Sequence, residues 1–151
     1  MSLIAFEGQL SVPRTFSFDE LRRLPAQLTE RSMLLGGRAI AGVRIGALIA
    51  DLGVKPWARF AVVRAEDGYA ANVPLALVVD CVLVYAVGDA PLPVELGGPI
   101  RFLARGADRC SNVKRVAAIG FREAAVAVAH HCPHAVARGA GNLVVLPGGQ
   151  S

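Results

Sequence analysis

The chain has 151 residues, 54% of them apolar and 19% charged, with a formal charge of +4 at pH 7. That length suits one domain with its own core and no need of a metal or disulfide staple, and the composition excludes a disordered, collagen-like or coiled-coil chain. No uninterrupted apolar run reaches the about 18 residues that a spanning helix needs, and the 14 arginines are scattered, with Arg22–Arg23 their only adjacent pair. A nucleic-acid surface would show a basic stripe with interleaved aromatics, and none is present. The three cysteines, Cys81, Cys110 and Cys132, are widely spaced, which argues against a disulfide framework and for a reducing compartment. Met1–Leu10 contains Glu7 and lacks a basic head before an apolar core, so the expected compartment is the cytoplasm, or the periplasm if a leader has been trimmed.

In chain order, the alternation of Ile4, Phe6 and Gly8 with Ala5, Glu7 and Gln9 predicts a strand that bends at Val12-Pro13 and returns through Thr15–Ser17. Ser17 and Glu20 form an S-x-x-E capping box for a short helix whose apolar face is Leu21 and Leu24. Pro25 ends it. Gln27–Leu35 reads as a strand broken by Gly36-Gly37, and Ile40–Val43 as the approach to a second helix over Ile45–Leu52, closed by Gly53. Phe60–Ala65 and Tyr69–Val73 flank Glu66-Asp67-Gly68, a hairpin turn. Pro74 opens a helical turn over Leu75–Asp80, and the valine-rich Cys81–Val87 is a buried strand. Gly88–Pro91 and Gly97-Gly98-Pro99 turn the chain before a strand at Ile100–Ala104, a polar loop at Arg105–Asn112 and a strand at Val113–Phe121. Beyond it, Arg122–Ser151 is rich in alanine and glycine, with a short helix expected near Glu123–His130 and a strand near Asn142–Leu146. Strands outnumber helices and come as hairpins, so the expected class is α+β with a mixed, mostly antiparallel sheet. The expected division is a domain over 1–121 and a divergent tail over 122–151.

The order of segments carries more information than any one of them: F-S-F-D-E-L-R-R-L-P, A-G-V-R-I-G-A-L-I-A-D-L-G-V, A-E-D-G-Y-A-A-N-V-P-L, V-L-V-Y-A-V-G-D-A-P-L-P, G-G-P-I-R-F-L and S-N-V-K-R-V-A-A-I-G-F. From Leu10 to Phe121, about three quarters of the chain, this resembles the oxidoreductase molybdopterin-binding domain, the sulfite oxidase-like fold. The resemblance implies a molybdopterin cofactor held by Ser111, Asn112 and Lys114, with Arg101 facing the ligand and the Gly36–Arg38 loop bordering the metal side through Arg38. The residues are chemically apt. The 105–112 loop offers backbone N–H donors, and Arg101, Arg109, Lys114 and Arg115 offer cations for a phosphate-bearing pterin tail. The expected partner is therefore a small-molecule cofactor or anionic ligand.

The chain also departs from the family. A cysteine thiolate ligates molybdenum there, on the segment that corresponds here to Leu28–Ala41, which holds no cysteine; Ser32 lies near the place. Ala41 stands where the family has tryptophan before G-V, and Arg31 and Arg38 are the only nearby candidates for the basic residues that hold sulfite. A serine hydroxyl does not readily replace a soft thiolate on molybdenum. Two functions therefore stand side by side: an oxidoreductase-like protein that binds molybdopterin, and a non-catalytic binding or accessory module that reuses the fold.

Other chemistry-bearing residues have plainer readings. Cys110 sits among Arg109, Lys114 and Arg115, cations that favour a thiolate, but no general base is in view. His130, His131, Cys132 and His134 have zinc- or copper-type donors, yet neighbouring residues on one segment rarely reach one ion together. Cys81 reads as a small core hydrophobe, Glu66 and Asp67 as turn residues, and Trp57 and Tyr69 as packing residues.

Overall fold

Alternation at the start of the chain produces the first hairpin. β1 (Leu3–Gly8) pairs antiparallel with β2 (Arg14–Ser17), with Ile4 opposite Phe16. Ile4, Phe6 and Phe16 are buried on one face, and the Phe6 and Phe16 rings meet edge to face at 5.6 Å, the arrangement that ring quadrupoles prefer. The computed structural model describes residues 3–25, 27–32, 35–104 and 112–126. The cysteine and histidine candidates at 110 and 130–134, and the helix and strand expected after residue 126, lie outside those residues.

α1 (Phe18–Arg23) starts at the expected capping box. The Ser17 Oγ accepts the Glu20 N–H at 3.2 Å, and the Ser17 N–H donates to Glu20 Oε1 at 2.8 Å. Six residues are too few to hold a helix in water. Two attachments secure it: Leu21 is fully buried, and Gln27 Nε2 donates to the Leu21 and Leu24 carbonyls at 2.7 and 2.8 Å while its Oε1 accepts the Tyr85 hydroxyl. Gln27→Ala strips two helix-end carbonyls and a buried phenol of partners, so it is expected to cost about 1–3 kcal/mol. Urea unfolding measures this. Tyr85→Phe is expected to cost about 1 kcal/mol, and the double variant less than the sum, because the two side chains share one bond.

Gln27 also begins β3 (Gln27–Ser32), which pairs antiparallel with β4 (Arg38–Arg44) from Gln27–Val43 to Ser32–Arg38. Here the structure adds to the sequence reading. Ile40–Val43 does lead into the helix at Ile45, and it does so as part of a seven-residue strand. With Ala39, Ala41 and Gly42, this strand has almost no local β signal and exists because its neighbours fit it. A Cβ on Gly42 would lie 2.5 Å from the Leu83 carbonyl oxygen. α2 (Ile45–Leu52) follows, burying Ile45, Leu48 and Leu52, and Gly53 closes it at φ 66°.

β5 (Phe60–Ala65) and β6 (Ala70–Pro74) form the second hairpin, and α3 (Leu75–Val78) is a single turn after it. β7 (Val82–Val87) carries β4 on one side; β8 (Ala90–Pro91) and β9 (Arg101–Leu103) lie end to end on the other. Between those two short strands is a 3-10 turn, Val94–Leu96. β10 (Val116–Arg122) inserts between β1 and β5, parallel to β1 and antiparallel to β5.

The strands thus make two sheets, ordered β2-β1-β10-β5-β6 and β3-β4-β7-β8 with β9 also on β7. The main core includes Ile4, Phe6, Val63, Leu83, Phe102 and Phe121. A smaller cluster, Leu35, Ile40, Val82, Val84, Leu92 and Leu103, covers the other face of the second sheet. β7 is therefore buried on both faces, which is why V-L-V-Y reads as an unbroken apolar run. Cys81 is fully buried, with its thiol donating to the Leu77 carbonyl at 3.2 Å. Trp57 differs from expectation. It is about half exposed (49%), and its indole N–H donates to Gln9 Oε1 at 3.0 Å, so it covers the surface of the 9–11 segment instead of packing inside. After β10 the chain stays close to the first sheet. The Asn72 side chain exchanges two hydrogen bonds, 2.8 and 3.0 Å, with the Val126 backbone. No helix of the described residues is long and apolar enough to cross a membrane.

Candidate functional site

Three connections meet at one end of the sheets: the β5–β6 turn, the 3-10 turn with Gly97-Gly98, and the segment Asn112–Arg115 leading into β10. They enclose an open cleft of about 420 Å³ lined by Ala65, Asp67, Tyr69, Val94, Glu95, Asn112, Lys114 and Arg115. Each wall is built locally. Asp67 Oδ1 accepts the Tyr69 N–H at 3.0 Å, which tightens the turn around Gly68 at φ 95°. The second wall folds back at Gly97, φ 96°, and the Gly98 N–H donates to the Pro93 carbonyl at 2.9 Å. The third is anchored to β9. Phe102 and Val113 exchange backbone bonds at 2.8 and 3.0 Å, and Asn112 Oδ1 accepts the Ala104 N–H at 2.9 Å.

The aliphatic stems of two cationic side chains meet at Gly97. A Cβ there would lie 2.8 Å from Lys114 Cγ and 3.0 Å from Arg101 Cδ, so both stems pass over the bare glycine. Arg101 is 8% exposed; one guanidinium nitrogen donates to the Leu96 carbonyl at 3.1 Å, and its Nε is buried with no hydrogen-bond partner among the described residues. Burial lowers the pKa of this guanidinium, yet arginine starts so far above neutrality that it stays charged. Burial also raises the Tyr69 phenol, which stays protonated at neutral pH.

Arg115 ties the walls together. Its N–H donates to the Gly97 carbonyl at 2.8 Å, its carbonyl accepts the Glu66 N–H at 3.0 Å, and its guanidinium meets Asp67 Oδ2 at 3.0 Å. Among the described residues it is the one non-glycine with positive φ, at 50°. That conformation costs an L-residue about 1–2 kcal/mol. The ion pair does not recover it: with side chains 40% and 51% exposed, such a pair contributes at most about 1 kcal/mol. Stability alone does not account for an arginine here.

Of the residues singled out in the sequence, Asn112 and Lys114 line the cleft and Arg101 lies behind Gly97. Ser111 lies outside the described residues. Arg38 is not brought here. It is exposed at the start of β4, on the far side of β7 from Arg101, which sits opposite Val84. Asp67 and Tyr69 are cleft residues that the sequence presented only as a turn and a packing residue, and Val94 and Glu95 are cleft residues that it did not single out. A carboxylate two positions before tyrosine in D-G-Y signals a tight turn, and nothing local shows what the turn faces.

The donor set suits the anionic part of a molybdopterin. Lys114 and Arg115 supply positive charge at the cleft, which Asp67 and Glu95 also line, and Arg101 lies behind Gly97 with its Nε buried and without a hydrogen-bond partner among the described residues. No metal-binding group of three His, Cys, Asp or Glu exists among the described residues, and the one described cysteine, Cys81, is in the core. The described residues thus fit the phosphate-bearing tail and offer no thiolate to molybdenum.

The architecture is that of an α+β domain with two mostly antiparallel sheets and an open cleft, lined by Lys114 and Arg115, where their connections meet. A family model for the oxidoreductase molybdopterin binding domain matches residues 34–129, and the chain belongs to that family. The crystal structure of the sulfane dehydrogenase SoxCD from Paracoccus pantotrophus superposes with a TM-score of 0.71 and 23% identity, over 83% of this chain and 39% of that one. At that identity the likeness concerns the fold, which is the sulfite oxidase-like one. The chain spans about two fifths of the length of that structure. No curated protein matches the chain.

Proposed function

We propose that the chain binds a molybdopterin cofactor, with the phosphate-bearing end in the cleft between the β5–β6 turn and Asn112–Arg115. The observation that carries this reading is the convergence of Lys114 and Arg101 over Gly97, beside a cleft of suitable size. Lys114 reaches the anion as a mobile point charge; Arg101, fixed by the Leu96 carbonyl, holds a buried positive charge behind it. Asn112 lines the same end, and Ser111 directly precedes it in the chain. Tyr69 lines the same cleft, its phenol kept protonated by burial. A bound cofactor of this class supplies two-electron redox chemistry at its metal; the protein's share is to bind, orient and shield it.

The test is elemental analysis for molybdenum and a fluorescence assay for released oxidised pterin, on protein purified from a host that makes the cofactor. Near-stoichiometric pterin is expected, falling at least about tenfold in Lys114→Ala, since a desolvated phosphate contact contributes about 1.5–3 kcal/mol. A folded sample without pterin refutes the reading. One observation favours a second reading, a non-catalytic module that reuses the fold: Leu28–Ala41 holds no cysteine. On that reading molybdenum is absent and no redox turnover accompanies binding.

A further inference from the structure

Arg115 carries more strain than its exposed ion pair returns, and its other backbone partners would be kept by glycine. What glycine would lose is the guanidinium. That group lines the cleft next to Lys114, and Asp67 engages one of its nitrogens at 3.0 Å. Asp67 is itself held by the turn it stabilises, through the Tyr69 N–H. A guanidinium has five donors in a rigid planar fork; with one nitrogen bonded to a carboxylate that the turn holds, the remaining donors are turned toward the cleft's free space.

We infer that Arg115 is a positioning and specificity residue: Asp67 aims its guanidinium so that, together with Lys114, it grips a doubly or multiply charged phosphate group entering the cleft. The fork takes two oxygens of one phosphate, and Lys114 neutralises the remaining charge. The inference rests on the proposed binding of a phosphate-bearing ligand in this cleft, and it assigns the selectivity within it. A polyanion such as pyrophosphate engages both cations, whereas a singly charged anion engages one. Asp67 is the orienting partner and not a second ligand group, because its carboxylate repels phosphate except where Arg115 covers it.

The experiment is calorimetric titration of the full chain with inorganic pyrophosphate at fixed ionic strength, beside melting temperatures. Arg115→Lys and Arg115→Gln keep a bulky residue at positive φ and differ in charge; Arg115→Gly relieves the strain and removes the cation. Pyrophosphate affinity is expected to fall about tenfold or more in Arg115→Gln and Arg115→Gly, and to recover in part in Arg115→Lys, while Arg115→Gly melts at or above the parent temperature. Asp67→Asn keeps the cation and loses its aim, so affinity falls about threefold. If Arg115→Gln and Arg115→Gly bind pyrophosphate like the parent while Lys114→Ala does not, the inference fails and the cleft reading survives. Tighter binding in Asp67→Asn also overturns it, since Asp67 would then merely compete for the guanidinium. If the parent chain does not bind pyrophosphate, the cleft reading fails and takes the inference with it.

Discussion

Gly98→Ala is expected to destabilise the chain by about 3 kcal/mol or more, because the new methyl has no space to enter and no flexible neighbour to displace. A Cβ at Gly98 would lie 1.8 Å from the Leu92 carbonyl oxygen, 2.6 Å from the Leu92 carbonyl carbon and 2.9 Å from the Pro93 oxygen. All three are backbone atoms of a pinned segment: the Leu92 N–H donates to the Tyr85 carbonyl at 3.0 Å, and the Gly98 N–H itself donates to the Pro93 carbonyl. Room can be made only by lifting 92–93 from β7, which withdraws the buried Leu92 from the smaller cluster. The same movement carries away the 3-10 turn and Gly97, so the proposed binding of a phosphate-bearing ligand is expected to fall with stability. Gly36→Ala is the matched control. Unlike Gly98 it has positive φ, 70°, and nothing lies within 4 Å of its Cβ; only backbone strain of about 1–2 kcal/mol is expected, with no steric clash. Urea unfolding of the two variants decides the matter, and equal losses would show that the Leu92–Gly98 contact is not tight.

Phe102→Ala is expected to cost about 3–5 kcal/mol, the range for deleting a fully buried aromatic ring. That is about a third or more of a total stability near the middle of the usual range of about 5–15 kcal/mol. Phe102 is fully buried in the middle of the three-residue β9, opposite Leu83. The ring is the largest apolar group of this short strand, which is also held by its pairing with β7 and by the backbone bonds of Phe102 to Val113. Because Val113 stands between Asn112 and Lys114, slackening β9 also releases the third wall of the cleft. Phe102→Leu, which fills most of the space, is expected to cost about 1–2 kcal/mol. The thermal midpoint and the pyrophosphate titration should fall together in Phe102→Ala, since the wall and the core share this residue.

The elements with strong local signals are legible in the residue order alone. The S-x-x-E capping box, Pro25, the Leu48–Leu52 face with Gly53, and Asp67-Gly68 each act within about four residues, and each produces the element it announces. β4 is not legible in this way, because Gly42 suits the close approach of the Leu83 carbonyl, about 40 positions away, and nothing local signals it. Trp57 misleads for a related reason: an aromatic residue signals burial only on average, and here Gln9 gives its indole a polar partner at the surface.

For the site, the family resemblance picks out Asn112, Lys114 and Arg101, and residue chemistry explains why such donors suit a phosphate. Neither says that Arg38 begins a strand on the other side of β7, or that Asp67 and Arg115, 48 residues apart, are ion-paired across the cleft. Local hydrogen bonding and period-two alternation are properties of neighbouring residues and are written in their order. Which turns meet, which cations share a glycine, and which arginine bears a strained backbone depend on strand pairing between the first, fifth and last strands, and that pairing is settled only when the whole apolar surface is buried at once.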